Sequence, residues 1–202
     1  MKHLISILVI FFMSNTSASM ALVPSSFEAQ FFNFSQLQKD QTFTILSTDV
    51  DPKLQKLCGE TDYPIECLTS TIPFLDENVA INPMSILKVE IDAIDSKTKE
   101  ALDKAFELSV NPPPSRLLLS CLETCIDNYN SILESKQKIL NAISLGDADQ
   151  VSMELSFNME NVFACEDTFK EAEIELPITE LNSLLVKIIT KSITISVGMI
   201  NF

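Results

Sequence analysis

At 202 residues, with 28 acidic against 14 basic side chains and a formal net charge of −14, the chain is repelled by the phosphate backbone of nucleic acid and by anionic lipid. Three glycines, no tryptophan and abundant Leu, Ile, Ser and Glu exclude a turn-rich β fold and indicate long helices with few connectors. The expectation is one all-α domain of roughly 150 to 180 residues, large enough for its own core.

Residues 1–21 have the layout of a secretory leader. Lys2 and His3 precede an apolar run from Leu4 to Met13 that is too short to span a bilayer, and Ser19-Met20-Ala21 offers a peptidase site after Ala21, with Ala18 as the rival. Removing Lys2 and His3 leaves 13 basic against 28 acidic residues, net −15, and no histidine. Residues 22–50 form an extension rich in Phe (Phe27, Phe31, Phe32, Phe34) without periodicity, and Asn33-Phe34-Ser35 within it is a glycosylation sequon.

From Asp51 the pattern sharpens into a helical domain over 51–202. A short helix near Pro52 to Cys58, a turn through Thr61 to Pro64 and a second short helix to about Leu75 read as a hairpin within 51–78. Four long helices follow over 83–202. In the first, Leu87, Ile91, Ile94, Thr98, Ala101, Ala105 and Leu108 make one stripe at spacings of three and four, and Pro112-Pro113-Pro114 stops it. Ser115 caps the second, which carries Leu118, Leu122, Cys125, Tyr129, Ile132, Ile139 and Ile143, with Lys136 as a lapse, and ends at Gly146. Asp147 or Asp149 opens the third, with Val151, Leu155, Met159, Val162, Phe169 and Ala172 inward until Pro177. The fourth begins near Ile178 with Thr179 as cap and turns Leu181, Leu184, Ile188, Ser192, Ile195 and Met199 inward. Such helices pack as an up-down-up-down antiparallel bundle.

Catalytic chemistry has little to work with. Without a mature histidine there is no Ser-His or Cys-His pair, no imidazole metal site and no ordinary general base near neutral pH. Gly59, Gly146 and Gly198 make no phosphate cradle, and Arg116 is the sole guanidinium. The expectation is a protein that is no enzyme and uses no cofactor or metal. Five cysteines in a secreted chain imply two bridges and one free thiol. Cys58 and Cys67 flank a turn-forming segment, and closing that ring contributes about 2.7 kcal/mol. Cys121 and Cys125 lie four apart on one helix, a poor geometry for each other, so one of them takes Cys165 in a bridge contributing about 4 kcal/mol.

The segment Cys58-x-x-Thr61-x-Tyr63-Pro64-x-x-Cys67, the run Cys125-Ile126-Asp127-Asn128-Tyr129, the run Cys165-Glu166-Asp167-Thr168-Phe169 and the stretch Pro177 to Asn182 resemble the plant invertase and pectin methylesterase inhibitor family. The likeness runs from about Asp51 to the C-terminus. It implies a four-helix bundle with an N-terminal hairpin, pairs Cys125 with Cys165 and leaves Cys121 free. It also implies a protein secreted to the apoplast, or sent to the vacuole, that docks without covalent chemistry over the cleft of a carbohydrate-active enzyme, in a 1:1 complex. Fold does not choose the enzyme. Invertase inhibitors of the family tend to carry Pro-Lys-Phe after Gly-Asp, whereas Gly146-Asp147 is followed here by Ala148-Asp149-Gln150, and Thr61 to Pro64 looks more like the pectin methylesterase branch. The resemblance thus implies inhibition of pectin methylesterase, with invertase as the alternative. One departure is Ala164, where that branch usually has Thr before the last bridging cysteine. The family's fold also occurs as a leader domain on pectin methylesterases, a reading that the absence of a catalytic segment before Phe202 disfavours. Helix spacing places Glu154, Asn158, Asn161 and Ala164 on one side of the third long helix as an expected contact face. A reading from another class is a ligand carrier whose helices enclose an apolar cavity.

Overall fold

The computed structural model describes residues 50–76 and 78–200. The leader over 1–21, Asn33 and all but the last residue of the 22–50 extension lie outside the described residues.

Proline, asparagine and serine set the helix starts. Helix α1 (Pro52–Gly59) begins where the Asp51 carboxylate accepts the Lys53 N–H, and α2 (Pro64–Thr71) begins on Pro64, whose missing N–H is no loss in a first turn. A 3₁₀ turn, Ile72–Phe74, extends α2. Asn82 Oδ1 accepts from Ser85 N at 3.0 Å to cap α3 (Pro83–Val110), and Ser115 Oγ accepts from Leu118 N at 3.2 Å to cap α4 (Arg116–Leu145). Gly146 stops α4 in the left-handed conformation at φ 69°, where Gly146 N and Asp147 N close onto the last-turn carbonyls of Ile143 and Ala142. Asp147, not Asp149, then caps α5 (Ala148–Glu171) through Gln150 N. The final helix, α6, is Thr179–Gly198.

Helices α3 to α6 form the four-helix bundle. Each packs on its neighbours in the chain, and α3 closes the ring against α6. The hairpin α1–α2 is stapled by the Cys58–Cys67 disulfide and reaches the bundle through α2, which rests on α3 and α6. The second disulfide, Cys125–Cys165, ties α4 to α5, and Cys121 is a buried free thiol whose Sγ lies 3.6 Å from the carbonyl of Thr168.

The stripe on α3 is buried as its spacing predicts, apart from a half-buried Leu108. On α4 the lapse at Lys136 is filled by Ser135 turning inward, while Lys136 reaches Asp92 at 2.9 Å and Asp95 at 3.1 Å across the α3 seam. The largest departure is α6. Leu181 and Leu184 are half-exposed, whereas Asn182, Leu185, Ile189 and Lys191 lie inside together with Ile188, Ser192 and Ile195. Two polar attachments hold this rotation: Asn182 Oδ1 accepts from the Tyr129 hydroxyl at 3.0 Å, and Lys191 pairs with Glu90 of α3 at 2.8 Å. Thr179 is not the cap of α6. Ile178 occupies that position and the Thr179 hydroxyl donates back to the Leu176 carbonyl at 2.5 Å.

By length and apolar composition α6 would cross a bilayer. Its inner face is nevertheless packed on α3 and α5 and carries a fully buried lysine, which marks it as the fourth wall of the bundle.

Candidate docking surface

Helix α5 has two faces with different chemistry. Val151, Leu155, Val162, Cys165 and Phe169 point into the core. The opposite side exposes Met153, Phe157 and Phe163 among Ser156, Glu160, Ala164 and Asp167. At a hundred degrees per residue these seven positions fall within about one third of the helix circumference. Phe157 and Phe163 remain 44% and 45% exposed and Met153 58%, which is far from what burial of large apolar side chains favours.

The four residues expected on one contact face divide. Ala164 lies on the exposed side, between Met153 and Phe157 around the helix. Glu154, Asn158 and Asn161 are buried, and this corrects their reading as a surface patch. Asn158 is drawn into the α4–α5 seam, where its Oδ1 accepts the Ser135 hydroxyl at 2.7 Å. Asn161 Nδ2 donates to the Phe157 carbonyl at 2.8 Å, and Glu154 Oε1 accepts from Gln150 Nε2 at 2.9 Å. A buried polar group keeps its place only with a partner, so these bonds orient α5 from behind the exposed face.

The bridge beneath the face is polar as well as covalent. The Tyr129 hydroxyl lies 3.3 Å from Cys165 Sγ, and Asn182 Nδ2 donates to the Val162 carbonyl at 3.3 Å, so that α4, α5 and α6 share one cluster. Burial pushes the Tyr129 phenol well above the ordinary tyrosine range, which keeps it a neutral donor at every physiological pH. Among the described residues, no group of three or more His, Cys, Asp or Glu side chains is placed to hold a metal.

Sequence reasoning missed Met153, Phe157 and Phe163. Their signal is present in the chain: three large apolar side chains fall on the side of the helix opposite its core stripe, a placement that amphipathic spacing alone does not produce.

A family model described as Plant invertase/pectin methylesterase inhibitor matches residues 52–196, well over half of the chain. Two solved structures share the fold. A mutant form A of a pectin methylesterase inhibitor from Arabidopsis aligns with a TM-score of 0.62 at 15% identity, covering 75% of this chain and 100% of its own. A pectin methylesterase inhibitor from Arabidopsis thaliana aligns with a TM-score of 0.56 at 15% identity, covering 76% of this chain and 100% of its own. No curated protein matches the sequence.

Proposed function

This chain belongs to the plant invertase/pectin methylesterase inhibitor family, and we propose that it is a secreted inhibitor of pectin methylesterase that acts by stoichiometric docking over the substrate cleft. The observation that carries the reading is the exposed apolar side of α5, Met153, Phe157 and Phe163, on a bundle whose charge is strongly acidic. Large aromatic side chains on a rigid helix are efficient binding anchors because they bury much area and lose little freedom. Net negative charge adds long-range attraction toward a basic enzyme in the acidic space outside the cell, with the vacuole as the alternative site of action.

The choice of pectin methylesterase over invertase rests on local sequence. The Ala148-Asp149-Gln150 run forms the first turn of α5 and offers neither the Lys nor the Phe of the invertase branch. The Thr61-to-Pro64 turn supports the same choice, its Thr61 hydroxyl donating to the Cys58 carbonyl at 2.8 Å inside the stapled hairpin. Ala164 sits within the proposed contact and supplies no hydroxyl there, so binding relies on the apolar neighbours. Glu154, Asn158 and Asn161 contribute by positioning α5.

Phe157→Asp tests this face. The substitution places a charge where an aromatic ring would be desolvated, so inhibition of pectin methylesterase is expected to weaken by about a hundredfold or more. Helical content and melting temperature should stay near those of the parent, because the side chain is half exposed. Unchanged inhibition by a folded Phe157→Asp protein would place the contact elsewhere.

A further inference from the structure

A second surface of different chemistry lies between α3 and the start of α6. It is a groove of about 970 Å³, walled on one side by residues 97–107 of α3 and on the other by the connector from Glu175 to Thr179 and the first turns of α6. The floor is apolar, built from Leu176, Ile178, Leu181 and Leu184. Leu181 and Leu184 are the two residues that the rotation of α6 leaves half-exposed.

The walls are acidic. Five carboxylates line the groove against two lysines, and both lysines are engaged on their own helix, Lys97 with Glu100 at 2.6 Å and Lys104 with Glu107 at 2.7 Å. Asp103, Glu175 and Glu180 have no cationic partner among the described residues. The connector wall is preformed: the Thr179 N–H and hydroxyl both close onto the Leu176 carbonyl, and Asn182 N bonds the Ile178 carbonyl at 3.0 Å. A groove that needs no ordering on binding retains more of its interaction energy as affinity.

We propose that this groove is a docking site for a cationic, partly apolar chain segment of a protein partner, with Lys or Arg side chains facing Asp103, Glu175 and Glu180 and apolar side chains on Leu181 and Leu184. Charge selects the occupant. A second copy of this chain, at net −14, would bring like charge to an acidic groove, and an acidic or neutral segment would leave the three carboxylates unmatched. None of the residues lining the groove belongs to α5, although Leu176 and Thr179 also border the hollow beside Phe163, and the proposal does not depend on which enzyme the α5 face meets.

The probes are two fluorescent peptides, one of alternating arginine and leucine and one of alternating glutamate and leucine, titrated into the full mature protein by anisotropy and mapped by amide chemical shifts. The arginine peptide should bind and shift residues of α3 and the α5–α6 connector, and the glutamate peptide should not. Reversing three groove charges together, Asp103→Lys, Glu175→Lys and Glu180→Lys, should weaken binding about tenfold or more. Reversing three exposed carboxylates on α4, Glu123→Lys, Asp127→Lys and Glu134→Lys, should weaken it less than about threefold, because only the diffuse field changes. Equal losses from the two triple variants, shifts centred away from the groove, or no binding of the arginine peptide would each overturn the proposal. Enzyme inhibition by the Phe157→Asp protein is a separate readout, so failure here leaves the α5 face untouched.

Discussion

Lys191→Met is expected to lower the free energy of unfolding by about 3 to 5 kcal/mol, the range for removing one partner of a buried ion pair. Lys191 and Glu90 are both fully buried, and burial drives the Glu90 carboxyl above its ordinary pKa and the Lys191 ammonium below its own. What holds the charges there is complete pairing. The ammonium meets Glu90 at 2.8 Å, the Glu66 carbonyl at 3.0 Å and the Ser70 hydroxyl, while Thr71 donates to the other oxygen of Glu90. These groups come from α2, α3 and α6, so one cluster fastens the hairpin to two walls of the bundle. Without Lys191 the carboxyl keeps its desolvation and loses its counter-charge. The double variant Lys191→Met with Glu90→Leu should recover most of the loss, since no buried charge remains and Ser70 can still donate to the Glu66 carbonyl at 2.6 Å. Urea denaturation read by circular dichroism, with the slope checked for constancy, measures both variants. A single-variant loss below about 1 kcal/mol would mean that the pair is solvated and the hairpin seam open.

Replacing both Cys125 and Cys165 by serine is expected to lower stability by about 4 kcal/mol, against about 2.7 kcal/mol for the same change at Cys58 and Cys67. The difference follows from the chain enclosed, 40 positions in one case and 9 in the other. The larger bridge also sits under the docking face, next to Tyr129 and Asn182, so its loss loosens the junction of α4, α5 and α6. For a domain whose total stability is on the order of 5 to 15 kcal/mol, the Cys125–Cys165 variant should unfold at markedly lower denaturant than the hairpin variant. The order of the two midpoints is the check, and equal midpoints would show that loop length does not govern the effect.

How much could be read from the chain depended on whether a residue's partner was near or far in sequence. The α3 stripe, the stop at Pro112 to Pro114, the left-handed Gly146 and the caps at Ser115 and Asp147 are local features, each decided within a turn or two of helix. The inner face of α6 was not legible in this way. Apolar spacing favours Leu181 and Leu184, yet Asn182 and Lys191 turn inward because Tyr129 and Glu90 await them on other helices. Glu90 and Lys191 look like solvated surface charges when each helix is read alone. The available signal was their opposite sign at stripe-flanking positions of two helices that close the same ring. Asn158 follows the same rule, since only Ser135 on α4 explains its burial. The contact face of α5 was half legible: Ala164 was placed outward, but the polar residues beside it serve the seam while Met153, Phe157 and Phe163 face out.

Inhibition by occupation of an enzyme's cleft is measured by titrating the purified mature protein into a fixed amount of pectin methylesterase at acidic pH, with an invertase run in parallel. Residual esterase activity is expected to fall linearly to a break at one inhibitor per enzyme while invertase turnover is unaffected. Full esterase activity at excess protein, or inhibition of the invertase in its place, would contradict this expectation.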